Sequence, residues 1–145
     1  MTINEQQDDL IEEFELFPDW MDKYENIIQM GKELPIIDEQ YKTDQNLIKG
    51  CQSRVWLHAF YKDDKVSFTA DSDAIITRGL ISMRIKVLSG HHPSEIANAD
   101  LYFLNAIGLS SHLSPTRSNG LLAMVKQMKL YAHAFNLQDL KNEES

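Results

Sequence analysis

Cys51 is the only cysteine among the 145 residues of the chain, and it stands between a glycine and two small polar residues. Gly50 can adopt backbone angles that are closed to other residues, so it can carry a sharp bend. Gln52 and Ser53 suit a turn, in which the serine hydroxyl hydrogen-bonds to nearby backbone. The segment therefore predicts a thiol displayed at the tip of a loop that leads into a strand.

The reactivity of this thiol depends on its ionisation, because the thiolate is the nucleophile. At an ordinary pKa of about 8.5, roughly 3% of a cysteine is thiolate at pH 7. Lys49 and Arg54 are close to Cys51 in sequence, and nearby positive charge raises that fraction. A lone cysteine is also commonly a small buried apolar side chain. The residues alone therefore leave a reactive and a structural role open.

Several kinds of cysteine chemistry fit the sequence poorly. A thiol hydrolase needs a base beside its nucleophile and donors for an oxyanion, and no histidine has a position that singles it out for this role. An iron–sulfur cluster usually needs several thiolates, and zinc needs a set of ligands. The adjacent pair His91 and His92 is predicted to be part of a loop rather than a metal site.

Transfer of a sulfur atom makes smaller demands on the chain. One accessible thiolate attacks the outer sulfur of a donor persulfide and holds that sulfur until another thiolate takes it. This step requires no internal base. A lone cysteine on a loop is sufficient for it.

Three blocks of sequence resemble the SufE family of sulfur-acceptor proteins, and they occur in the order found in that family. The blocks are Gly50–Ser53 with Val55–Trp56, Ala70–Ala74 with Arg78–Leu80, and Leu113–Leu121. The resemblance runs from about residue 20 to residue 135, which is most of the chain.

This resemblance implies a function. Family members accept sulfur from a pyridoxal-phosphate-dependent cysteine desulfurase of the SufS type, increase its turnover, and pass the sulfur to the Suf scaffold for iron–sulfur cluster assembly. The related CsdE proteins serve a sister desulfurase. Cys51 matches the sulfur-accepting cysteine of the family. The pyridoxal phosphate is expected in the partner enzyme, and no cofactor or metal is expected in this chain.

The resemblance also implies a fold and further candidate residues. The expected fold is α+β, with a small antiparallel sheet of about three strands packed against several helices, as in SufE and IscU proteins. Arg117 is a candidate for favouring the thiolate or binding the partner, although a structural ion pair or a helix-end contact is the favoured interpretation. Asp73 is a candidate for the same roles, but a helix cap is the favoured interpretation. Gln52 and Ser53 would shape the loop.

Hydrophobic periodicity and end signals predict the elements around this segment. The predicted helices are 3–14, 20–30, 74–89, a short one after Pro93, 100–109 and 115–135. The predicted strands are a hairpin at 54–61 and 66–70, and a third short strand at Leu47–Ile48. Residues 138–145 are predicted to be a frayed polar tail. Gly79 lies inside the most apolar helix, where glycine costs about 1 kcal/mol relative to alanine, so we expect another element to approach closely there.

Charge and composition exclude several classes of protein. The net charge is −8, from 14 basic and 22 acidic side chains, which argues against a general nucleic-acid binder. This acidity fits a partner with a positive patch, or simply a solvated surface. No apolar run approaches 18 residues, so no membrane span is expected. The acidic N-terminus does not resemble a signal peptide, and the cytoplasm is the expected location.

The length fits one domain, residues 1–145, with a flexible N-terminal segment and a flexible C-terminal tail. The favoured hypothesis is a sulfur acceptor and desulfurase activator that acts through Cys51. The alternative is a non-catalytic adaptor that regulates a desulfurase by binding, with Cys51 incidental.

Overall fold

Six α-helices and one β-hairpin make up the described part of this computed structural model, which comprises residues 1–50, 53–109 and 115–144. For residues 115–118, 143 and 144 only the backbone is described. The helices are α1 (Ile3–Glu15), α2 (Trp20–Gly31), α3 (Ile75–Leu88), α4 (Pro93–Ala97), α5 (Phe103–Ile107) and α6 (Pro115–Glu144). The strands are β1 (Val55–Lys62) and β2 (Lys65–Ser72), and two 3-10 turns span Glu39–Tyr41 and Asp44–Asn46.

The first two helices begin where local capping residues place them. The Thr2 hydroxyl accepts a hydrogen bond from the Glu5 amide at 3.0 Å, and the Glu5 carboxylate accepts one from the Thr2 amide at 3.2 Å. Asp19 caps α2 by accepting from the Asp22 amide at 3.0 Å. Such side-chain acceptors satisfy donors that the first turn of a helix leaves open. Both predicted helices are confirmed, each ending one residue further on.

Helix α3 is the centre of the core. Eleven of its 14 residues are buried, so neighbouring elements cover it on all sides. It packs against α1, α2, β2 and α6. Its backbone meets that of α2 at Gly79, where an added Cβ would overlap the carbonyl oxygen of Ile27. The close approach expected at this glycine is confirmed.

The hairpin pairs β1 with β2 in an antiparallel register that runs from Val55 opposite Ser72 to Lys62 opposite Lys65. Asp63 and Asp64 at its tip have φ values of 54° and 63°. Two positive φ values are the signature of a type I′ turn, whose twist matches that of the strands. One face of the hairpin points into the core through fully buried side chains of both strands: Val55, Leu57, Val66, Phe68 and Ala70.

The expected third strand is reduced to a single bridge, so in the described residues the sheet has two strands rather than about three. Leu47 bridges Trp56, and the Ile48 amide donates to the Val55 carbonyl at 2.8 Å. The Asp44–Asn46 turn lies just before this pair and a turn at Lys49–Gly50 just after it. Only two residues are therefore left to extend along β1. The α+β class itself is confirmed.

The C-terminal helix is longer than predicted. Helix α6 continues to Glu144, so the prediction that the last helix ends near residue 135 is wrong. The ring of Phe135 stacks on Tyr61 with 5.3 Å between centroids, and the Tyr61 hydroxyl donates to the Asp139 carboxylate. These contacts attach the end of the helix to the hairpin. Flexibility of the two chain ends stays a prediction.

One buried cation stands out in α3. Arg84 is 4% exposed, and its Nη1 donates to the Leu80 carbonyl at 2.7 Å. Its Nε has no hydrogen-bond partner, and no carboxylate pairs with it, in the part of the chain that is described. Burial lowers the pKa of this guanidinium to about 10. The group therefore opposes folding at neutral pH, where it is charged in both the folded and the unfolded state.

No helix among the described residues combines the length and the apolar character that crossing a membrane requires.

The crossing of α2 and α3 predicts the effect of Gly79→Ala. Alanine in a helix normally gains up to about 1 kcal/mol over glycine, but here its Cβ would overlap the Ile27 carbonyl. We expect the free energy of unfolding to fall by about 1–3 kcal/mol, measured by urea denaturation. Lys86→Ala, at an exposed position of the same helix, is the control. Equal stabilities of the two variants would contradict the close crossing.

The buried guanidinium predicts that Arg84→Met stabilises the protein. Methionine fills a similar volume and leaves no polar atom without a partner, so the free energy of unfolding at pH 7 should rise by about 1 kcal/mol or more. Lys86→Met should leave it unchanged within about 0.5 kcal/mol. A loss of stability in Arg84→Met would show that the guanidinium is satisfied in solution.

Candidate functional site

Residues 49–53, which we call the Cys51 segment, are attached to the sheet on their N-terminal side by the Ile48–Val55 hydrogen bond. Gly50, just before the cysteine, has a φ of +90°, a conformation that favours glycine and agrees with the predicted bend. Cys51 and Gln52 themselves lie outside the described residues. Their placement at a loop tip stays a prediction. Ser53 is half-buried at the far side of the segment.

Asp73 attaches the C-terminal side of the segment. Its Oδ1 accepts from the Arg54 amide at 3.0 Å, and its own amide donates to the Arg54 carbonyl at 3.4 Å. The prediction that Asp73 caps α3 is wrong, because the N-cap is Ala74 and no side chain caps this helix. The hairpin register pairs Val55 with Ser72. Because the strands are antiparallel, Arg54, just before β1, then lies beside Asp73, just after β2. The carboxylate therefore binds the amide of Arg54.

A buried carboxylate lies next to this attachment. The Asp71 side chain is 7% exposed, and its Oδ2 accepts from Lys42 Nζ at 3.0 Å. Its Oδ1 accepts from the Ser72 amide at 2.8 Å and lies 3.0 Å from Arg78 Nε, whose N–H donates to the Ser72 carbonyl at 2.8 Å. Burial raises the pKa of this carboxyl, but the hydrogen bonds from Lys42 and the Ser72 amide and the nearby positive charge of Arg78 outweigh burial, and the net pKa lies below its usual value. Asp71 is thus a charged, fully coordinated link between β2, α3 and the segment before Cys51.

Residues 38–48, which we call the strap, run across the outer face of the hairpin. The Tyr41 ring stacks on His58 with 3.8 Å between centroids and 8° between planes. Lys42 Nζ lies 4.7 Å from the centre of the Trp56 ring, within the range of a cation–π contact. Within the strap, the side-chain amide of Asn46 donates to the Tyr41 carbonyl at 2.6 Å. The strap thus binds the sheet mainly through ring and polar contacts, and it leads directly into the Cys51 segment.

A groove of about 380 Å³ opens between the end of the strap and α6. Residues 45–49 line one side of it, and Ala123, Gln127 and Tyr131 line the other. The groove mixes backbone, amide and apolar groups. It lies beside the N-terminal end of the Cys51 segment because Lys49 belongs to both.

Lys49 and Arg54 are exposed, and neither forms an ion pair within the described ranges. Their positive charges therefore remain available to a thiolate or to an anionic partner group. The side chain of Arg117 is not among the described atoms. Its proposed contact with the thiolate or with a partner stays a prediction.

The histidine pair that was weighed as a metal site lies at the start of α4. The Ser94 amide donates to His92 Nδ1 at 3.1 Å, and His91 Nδ1 lies 3.6 Å from a Glu95 carboxylate oxygen. The prediction of a loop leading into a helix is confirmed. Among residues 1–50, 53–109 and 115–144, no three His, Cys, Asp or Glu side chains come together as a metal ion would require.

Two functional candidates were missed by sequence reasoning. Asp71 lies just past the predicted strand 66–70, so its outward position opposite Trp56 in β2 was not predicted. Lys42 lies in a polar stretch without periodicity, so no sequence signal connected it to Asp71.

Comparison with known proteins agrees with this geometry. The family described as "SufE: Fe-S metabolism associated domain" matches residues 8–132. An uncharacterized SufE-like protein of Rhizobium etli is 41% identical over 127 residues, which cover 84% of this chain and 86% of that protein. A SufE-like protein of Arabidopsis thaliana, described as chloroplastic/mitochondrial, is 43% identical over 108 residues, 74% of this chain and 29% of the plant protein.

A solved structure shows the same fold at low sequence identity. The solution structure of a hypothetical protein from Thermus thermophilus has a TM-score of 0.74 and 17% identity, and the match covers 89% of this chain and 94% of that one. The resemblance of the three sequence blocks, the family match and the named relatives all point the same way. The chain belongs to the SufE family, whose domain is associated with iron–sulfur metabolism.

Proposed function

We propose that this chain accepts sulfur on Cys51 from a pyridoxal-phosphate-dependent cysteine desulfurase of the SufS type. It increases the turnover of that enzyme and passes the sulfur to the Suf scaffold for iron–sulfur cluster assembly. Pyridoxal phosphate belongs to the desulfurase, and the chain acts in the cytoplasm without nucleic acid or membrane. The observation that carries the proposal is a SufE-family chain whose only cysteine lies in a segment attached to the sheet on both sides.

The transfer step balances without any oxidant or reductant. The Cys51 thiolate forms a bond to the outer sulfur of the donor's persulfide, and the S–S bond of the donor breaks. The electron pair of that bond leaves on the donor cysteine as a thiolate. Cys51 then carries the persulfide until an acceptor thiolate repeats the exchange.

The two attachments suit this role. Ile48 is bonded to Val55 and Arg54 to Asp73, so both ends of the segment are fixed before a partner binds. Fixed ends reduce the entropic cost of binding. The exposed cations Lys49 and Arg54 at the two ends favour the thiolate and the anionic persulfide.

The central experiment weighs the intact protein after incubation with its desulfurase and cysteine. We expect the mass to increase by one sulfur atom in the wild type and to stay constant in Cys51→Ala. A wild-type protein that gains no sulfur at any time point would overturn the proposal. Cys51→Ser distinguishes the adaptor alternative, because full stimulation of the desulfurase by this variant would make the cysteine incidental.

Asp73→Ala should loosen the attachment at Arg54. The lost hydrogen bond is worth about 1 kcal/mol, so we expect iodoacetamide to alkylate Cys51 about fivefold faster at pH 7. Asp73→Asn is the matched control, since its amide oxygen still accepts from the Arg54 amide while the charge is removed in both variants. An alkylation rate in Asp73→Ala equal to that of Asp73→Asn would show that this bond does not restrain the cysteine.

A further inference from the structure

The outer face of the hairpin carries a row of aromatic rings that do not pack into the core. Trp56, His58 and Phe60 alternate along β1 on the side away from the core, and Tyr41 of the strap stacks on His58. The rings of His58 and Phe60 are 6.3 Å apart. Phe60 is 45% exposed and Tyr41 38%. We call these four residues the aromatic face.

The inner face of the hairpin already supplies its packing through fully buried aliphatic and aromatic side chains. Trp56 is covered by Lys42, and His58 is covered by Tyr41. Phe60 lies at the end of the row and is nearly half exposed. An exposed aromatic cluster lowers the solubility of a protein unless a partner covers it. Aromatic rings are also enriched at protein–protein interfaces.

At the turn end of this face the two outward strand residues are both lysines, whereas the net charge of the whole chain is −8. Lys62 and Lys65 lie directly opposite each other at the turn end, and both are exposed. Asp71, a buried carboxylate on this face, is already paired with Lys42 and Arg78. Like charges opposite each other repel across a strand pair. A carboxylate on a partner would relieve this repulsion.

The face is continuous with the Cys51 segment. Strand β1 begins four residues after Cys51, and Phe60 lies four residues beyond Trp56, which is about 14 Å along a strand. A protein that bound the thiol of Cys51 in its active site could therefore also contact the whole aromatic face.

We propose that the aromatic face binds the sulfur-donor protein, through an apolar patch flanked by carboxylates, and holds it while Cys51 exchanges sulfur. This inference rests on the proposed function and adds the surface on which the donor docks. Phe60 and the Lys62–Lys65 pair provide the contact, while Trp56 and His58 hold the strap in place behind them.

Phe60→Thr tests the apolar part, because threonine keeps the strand and removes the ring. With the full-length chain and its desulfurase, we expect the carrier concentration at half-maximal stimulation to rise about tenfold, with the maximal rate unchanged. The alkylation rate of free Cys51 should also stay unchanged. Leu16→Thr, which removes an 81% exposed side chain at the end of α1, should shift the half-maximal concentration less than about twofold.

Lys62→Glu tests the charged part without endangering the fold, because glutamate opposite Lys65 replaces repulsion by attraction. We expect weaker stimulation at low salt and a smaller salt dependence than in the wild type. Lys86→Glu on α3 is the control for a general charge effect and should leave both unchanged.

The outcomes separate this inference from the function on which it rests. If Phe60→Thr behaves like Leu16→Thr, the docking surface is wrong, even if Cys51 still gains sulfur. If Cys51 gains no sulfur but Phe60→Thr still weakens stimulation, the surface stands and the carrier function fails. If light scattering shows a dimer that Phe60→Thr dissociates, the face binds a second copy of the chain, and the proposal is overturned.

Discussion

The register of the hairpin is the constraint on which the site depends. The type I′ turn at Asp63–Asp64 pairs Val55 with Ser72, and this pairing decides what lies beside the Cys51 segment. A shift by one residue would move every side chain of the strand to the opposite face. Asp71 would then leave its two cations, and the rings of the aromatic face would enter the core. Burial of the inner apolar side chains therefore fixes the positions of polar groups that contribute little to the core themselves.

The two ends of the Cys51 segment are held by interactions of different kinds. At one end, the backbone amide and carbonyl of Arg54 both form hydrogen bonds with Asp73, a residue that lies between β2 and α3. The other end continues into the strap, where a ring stack, a cation–π contact and the Lys42–Asp71 pair replace apolar burial. Regions with few buried apolar contacts open at lower free energy than the core. No residue of the strap is fully buried, so we expect the strap to open at lower free energy than α3 and β2.

Helix α3 connects this site to the rest of the molecule. Its first turns carry Arg78, which binds both Asp71 and the Ser72 carbonyl, and Gly79, which admits the backbone of α2. Two adjacent residues of α3 therefore act in different places: Arg78 binds groups of the candidate site, and Gly79 allows the close packing of α2 in the core.

The sequence alone was sufficient for features that depend on neighbours along the chain. The first two helices, the hairpin and the apolar α3 follow from residues within a few positions of one another, and Cys51 was identifiable as a candidate because it is unique. The tertiary structure alone decided contacts between distant residues. Arg54 binds Asp73, 19 residues away, Lys42 binds Asp71, 29 residues away, and Tyr61 binds Asp139, 78 residues away. Periodicity and propensity report local preference, whereas these partners meet only after the core has brought their elements together, so the strap, the corrected role of Asp73 and the full length of α6 had no signal in the sequence.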